Sequence, residues 1–122
     1  MRSWLKARTA REMGIAEAAW LAGLIDGEGS VCRYMVRGKY PTWVLQVANS
    51  DRGALEYCQQ ITGTGGIIQK PISILGTKPA YIWQVAAQRN VLAILEQVIP
   101  YLQIKREVAE AFVADWNDLD GV

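Results

Sequence analysis

The stretch Ala18–Gly29, AAWLAGLIDGEG, decides how the rest of the chain is read. Its first eight residues carry no charge, and then two carboxylates arrive together: Asp26, and Glu28 between Gly27 and Gly29. Helical spacing runs through Ile15, Ala18, Ala22 and Ile25, with Trp20, Leu21 and Leu24 on the other side. A helix that is apolar on every side must be covered on every side. One side can face the domain's own core. The other needs a second surface, and a second copy of the chain is the nearest source. Ala18–Ala22 and Ala19–Gly23 are small residues four apart that let two helix backbones approach closely. The expected dimer interface is therefore Ala18, Ala19, Ala22 and Gly23, about a twofold axis.

Asp26 and Glu28 fall at the C-terminal end of this helix, where the macrodipole is negative. A twofold axis would bring two such ends together and add like-charge repulsion. A divalent cation between them would turn that repulsion into attraction, and oxygen ligands suit hard Mg2+ or Ca2+. A plain Asp-Gly turn between helix and strand fits the same residues.

Composition narrows the chemistry. At 122 residues the chain is expected to form one domain. It has no histidine, which excludes His-based triads, histidine general bases and histidine metal ligands. Cys32 and Cys58 are too few for a disulfide framework or a zinc site, so two buried thiols in a reducing compartment are expected. The longest apolar run, Ala18 to Ile25, is far short of the ~20 residues of a membrane span. The expected location is intracellular: bacterial or phage cytoplasm, or an organelle. Net charge is only +1, but it is unevenly placed. Residues 1–106 hold all 13 Lys and Arg with seven acids, and residues 107–122 hold five acids and no base. One face is expected to meet an anion while the acidic end stays away from it. A solvated acidic helix explains the same charges. The first residues, MRSWLKARTAR, are basic without an apolar run and so are no secretory signal. Residues 1–13 read as an extension or arm, in preference to a transit-like leader, and 14–122 as the domain.

After the first helix, strands are expected at about 30–37 and 42–48, joined by turn chemistry at Arg37-Gly38-Lys39-Tyr40-Pro41. Asn49 or Ser50 can cap a second helix with Ala54, Cys58 and Ile61 on one face, ended by TGTGG. A strand at Ile67–Lys70, a loop from Pro71 to Pro79 and a strand through Tyr81, Trp83 and Val85 follow. Helices through Val91–Ile99, stopped by Pro100, and through Val108–Trp116 complete the chain. The order α-β-β-α-β-β-α-α makes an α+β fold, an antiparallel sheet with helices on one face. The other face is then open. Gln46, Lys70, Gln84 and Gln88 are expected on it and can read base edges and phosphates, although an ordinary solvated face is also polar. The first strand leaves two registers. Either Arg33 turns inward with Val31 and Met35, or Cys32, Tyr34 and Val36 face in and Arg33 and Arg37 face out.

LAGLIDGEG, Leu21 to Gly29, resembles the signature of the LAGLIDADG homing endonucleases. It differs at Gly27, for Ala, and Glu28, for Asp, and both changes keep the chemistry. LQVANSD, TGTGG, the Trp83–Val85 strand and IPYLQIK add to the resemblance, which covers roughly residues 14–117. It implies an αββαββα core with a saddle-shaped antiparallel sheet. One motif per chain implies a homodimer, whereas chains with two motifs act alone.

Carried over by position, Glu28 matches the acid that ligates the catalytic metals and Gly27 a backbone carbonyl ligand. Asp26 matches the motif's structural or weakly catalytic acid. Asn49 matches a polar residue that positions water, and Lys105 a base that contacts the scissile phosphate; Arg52 is a further candidate. The DNA contacts implied are Arg33, Tyr34, Arg37, Lys39, Gln46, Lys70 and Gln84. The implied activity is metal-assisted cleavage of a long, near-palindromic double-stranded site, with Mg2+ as cofactor and Mn2+ able to substitute, in the service of intron or intein mobility. Alternatives on the same fold are a non-catalytic DNA-binding regulator and an RNA-splicing maturase.

Overall fold

In the computed structural model, residues 10–36, 38, 40–70 and 79–120 are described. Residues 1–9, Arg37, Lys39, the 71–78 stretch and 121–122 lie outside that set, and with them two of the expected DNA contacts, Arg37 and Lys39. Helix α1 (Ile15–Glu28) runs into strand β1 (Gly29–Val36), and β2 (Tyr40–Asn49) follows. Helix α2 (Arg52–Thr62) leads to β3 (Gly66–Gln69) and β4 (Tyr81–Val85). Helix α3 (Gln88–Val98) continues as a 3-10 turn (Ile99–Tyr101), and α4 (Arg106–Asp120) closes the described chain. The four antiparallel strands lie in the order β1-β2-β4-β3. Two hairpin-like pairs thus meet at β2 and β4, as the pattern of alternating residues predicts.

Strand parity assigns the two faces. Val31, Leu45, Val47, Trp83 and Val85 point to the helix side and are buried. Against them pack Leu21, Ala22 and Ile25 of α1, Leu55 and Ile61 of α2, Ile94 and Leu95 of α3, and Phe112 of α4. Each fully buried Leu, Ile or Phe contributes about 1.5–3 kcal/mol of transfer free energy. Trp83 is wholly buried and satisfies its indole N–H on the Thr64 carbonyl at 3.1 Å.

Several helix details depart from the spacing argument. Leu21 joins Ala18, Ala22 and Ile25 in the core, while Ile15 stands 76% exposed, because the buried stripe is centred one residue away from the expected one. Ala18 and Ala22 are therefore buried in this chain's own core. The α2 cap is Asp51, whose carboxylate accepts the Ala54 N–H, not Asn49 or Ser50. Gln88 does not lie on the open sheet face. It begins α3, and its side-chain amide both donates to and accepts from the Trp43 backbone (2.7 and 2.9 Å), continuing the ladder where β4 has ended. Cys58 is buried, as expected, but Cys32 is only half-buried, on the open face.

Residues 11–13, just before α1, are tied to the body. Met13 is in the core, and its N–H donates to Gln97 Oε1. Arg11 donates from its backbone N–H to Thr62 O and from its guanidinium to Ile61 O and Glu17.

Candidate metal centre and nucleic-acid face

The C-terminal end of α1 delivers Asp26 and Glu28 to different surroundings. Asp26 turns back into the protein. Its carboxylate accepts the backbone N–H groups of Gln103, Ile104 and Lys105 at 2.8–3.0 Å. Desolvation pushes this carboxyl up, but the three N–H bonds and the Lys105 charge together outweigh it, and the group is held below its ordinary range. Asp26 is thereby a clamp joining α1 to the turn before α4.

Lys105 completes the clamp. Its ammonium donates to the carbonyls of Ile25, Asp26 and Gly29 at 3.3, 3.3 and 2.8 Å. Two of these carbonyls, Ile25 and Asp26, belong to the last turn of α1, so a cation sits at the negative pole of the dipole. The electrostatic misfit expected from two acids there is thus partly answered within the chain.

Glu28 points outward and is exposed. Its Oε2 accepts from Asn49 Nδ2 at 2.7 Å, while Asn49 Oδ1 accepts the Asp51 backbone N–H at 2.8 Å. The second bond fixes which way the Asn49 amide faces, and so presents its N–H to Glu28. Asp51 was not singled out in the sequence; an aspartate just before a helical run is the cap signal that marks it. Arg52 lies beside this group, its guanidinium 5.4 Å over the ring of Tyr81, the cross-strand partner of Asn49.

The three carried-over positions Glu28, Asn49 and Lys105 therefore converge on the C-terminal end of α1. Gly27 is exposed there, and its carbonyl is not among those that Lys105 binds. A carboxylate and a backbone carbonyl are hard oxygen donors and suit Mg2+ or Ca2+ in type. They fall short in number: among the described residues no three His, Cys, Asp or Glu side chains cluster to hold a metal.

On the open face, register pairs Gln46 with Gln84 and Tyr34 with Thr42. Lys70 extends the same parity as Ile68, its backbone N–H bonded to Ala80 O. Tyr34, Gln46, Lys70 and Gln84 thus share one surface. Arg33 does not. It pairs in register with Trp43 on the helix side, and its guanidinium lies 3.2 Å from Asp115 of α4. The same carboxylate oxygen accepts the Trp43 indole N–H. The inward register is stable because Asp115 brings the counter-charge and the guanidinium keeps substantial exposure.

No protein-family model matches the chain, and no curated protein sequence matches it significantly. Solved structures do. I-CvuI, in complex with its target in the presence of calcium, is 26% identical with a TM-score of 0.66, the match covering 79% of this chain and 62% of that one. The archaeal intron-encoded homing endonuclease I-Vdi141I, complexed with DNA, is 20% identical with a TM-score of 0.66 over 87% of this chain and 70% of that one. This chain has the LAGLIDADG homing endonuclease fold. The LAGLIDADG meganuclease I-AabMI, bound to uncleaved DNA, matches with a TM-score of 0.67 at 18% identity, over 85% of this chain but 37% of its own. The chain spans less than two thirds of I-CvuI's length. In the LAGLIDADG frame, α1 is the signature helix, and the Glu28 group stands at its end.

Proposed function

We propose that this chain is one half of a homodimeric, site-specific DNA endonuclease that hydrolyses phosphodiesters with a divalent metal ion. The observation that carries the reading is the exposed Glu28 carboxylate, oriented by Asn49, at the end of a helix whose outward face is apolar. That face holds Ala19 and Gly23, with Ile15 and Trp20 exposed along it. Trp20 meets Tyr57 edge-on at 4.8 Å, which extends the apolar surface onto α2. A second copy packed along Ala19 and Gly23 would cover this surface and bring a second Glu28 to the first. That supplies the donors one chain lacks. I-CvuI was crystallised on DNA targets with magnesium and with calcium, which supports the same class of ion.

In this reading Glu28 and the Gly27 carbonyl hold the ion, Mg2+ or, in substitution, Mn2+. The bound ion supplies Lewis-acid charge and lowers the pKa of water. Asn49 keeps Glu28 in place through its bond from Asp51. Lys105, anchored on three carbonyls, places a positive charge to offset that gathering on the phosphate in the transition state. Tyr34, Gln46, Lys70 and Gln84 contact double-stranded DNA from the open face, with Arg37 and Lys39 as candidates at the β1–β2 turn. Glutamine amides can bond adenine in a bidentate fashion, and Lys70 neutralises phosphate. Arg33, held by Asp115, takes no part.

The test is to incubate the protein with a randomised duplex library, with and without Mg2+, and to sequence the ends. Paired cuts, one per strand, in a near-palindromic site and only with metal are expected. Site-selective retention without cutting would identify a regulator instead. An intron-splicing assay with no DNA cleavage would identify a maturase.

A further inference from the structure

Between α3 with its 3-10 extension and α4 runs an open groove of about 430 Å3. Glu96, Ile99 and Pro100 form one wall, and Glu110, Val113, Ala114 and Asn117 the other. Its lining is mainly apolar, and both of its charges are negative. It lies on the helix side of the sheet, where Phe112 of α4 meets Trp43 edge-on at 5.5 Å, and so away from the open face. Among the described residues the groove's Glu110 makes an exposed pair with Arg106, at 3.8 Å, which contributes little and exchanges readily.

The complementary sequence is in the same chain. Residues 1–9, MRSWLKART, carry Arg2, Lys6 and Arg8 around Trp4 and Leu5, and no acid. The described chain starts against α3, the helix that forms one wall: the Arg11 carbonyl accepts from Gln97 Nε2 at 3.3 Å, and Gln97 follows Glu96 in sequence. Nine residues reach at most ~30 Å when extended, about the length of a 20-residue helix, so the groove is within range.

We infer that residues 1–9 dock in the α3–α4 groove of their own chain, Trp4 and Leu5 on its apolar walls and Lys6 and Arg8 at Glu96 and Glu110. This keeps the segment's cations on the side of the sheet opposite the open face.

The full chain tests it. A nitroxide is attached at Ser3→Cys, with Cys32→Ser removing the half-buried thiol. Cys58 stays, because burial pushes its thiol up to about 12 and leaves it unreactive. Loss of the Ile99, Val113 and Ala114 amide NMR signals is expected, with recovery in the Glu96→Lys/Glu110→Lys variant. Unchanged signals would overturn the inference, as would loss that persists in that variant. Loss appearing only when spin-labelled chains are mixed with unlabelled, isotope-enriched ones would place a second copy's segment in the groove and overturn it too.

Discussion

Asp26 and Glu28 are two residues apart, and the structure gives them opposite tasks. Asp26 accepts three backbone N–H groups, so Asp26→Ala leaves those donors without their acceptor and should cost about 1–3 kcal/mol in denaturant unfolding. Its carboxyl is held below the ordinary value, so this stabilisation is complete above about pH 4 and is lost as pH falls below it. Asp26→Asn should flatten the acid limb of the stability profile; an unchanged limb would show that another group controls it. Glu28 instead faces outward with Asn49. Asn49→Ala should leave stability nearly unchanged and weaken divalent-metal binding by roughly 10–100-fold, the usual cost of losing an orienting partner, as read by calorimetric titration. Undiminished affinity would remove Asn49 from the site. The nine-residue motif made Glu28 legible. The partition between the two acids was harder to read, because it depends on N–H groups some 77–79 positions away in sequence.

Among the elements, strands were the most readable, since alternation in TWVLQV and YIWQV assigns faces directly and both assignments hold. Parity in β1 is equally clear, but parity alone does not say which face is the core. Arg33 is placed inward by Asp115, an acid 82 residues away on a helix whose charges suggest either an end held away from an anion or plain solvation, but not this pairing. Gln88 shows the same limit, since its sequence neighbours suggest a strand while its amide replaces one. Gln88→Leu should cost about 1–3 kcal/mol by stranding the Trp43 backbone groups. A neutral result in thermal unfolding would mean that water serves them as well. Gly65 has a positive φ of 94°, and a Cβ there would stand 2.2 Å from Trp83 Nε1. Gly65→Ala should therefore lower stability by about 1–3 kcal/mol or more, measurable in the same experiment.

At the scale of the whole molecule, the apolar character of α1 is used twice: one stripe closes the core, and the other is left outward with Ala19 and Gly23 upon it. An added Cβ at Gly23 meets nothing among the described residues, so Gly23→Leu should spare the fold but block the proposed association: the wild type is expected to sediment as a dimer and the variant as a monomer. Charge divides along the same lines, with Asp115 and the groove acids on the helix side and Lys70 on the open face. The proposed DNA-cutting centre depends on Glu28, supplied by two copies, as its metal-holding acid. The most direct measurement compares wild type and Glu28→Gln on supercoiled plasmid carrying the selected site, in Mg2+, alongside a DNA-binding titration. The substituted amide keeps an acceptor for Asn49 but loses the charge. Glu28→Gln should bind DNA undiminished while cleavage falls by several orders of magnitude; cutting of both strands at the wild-type rate would remove Glu28 from the metal site.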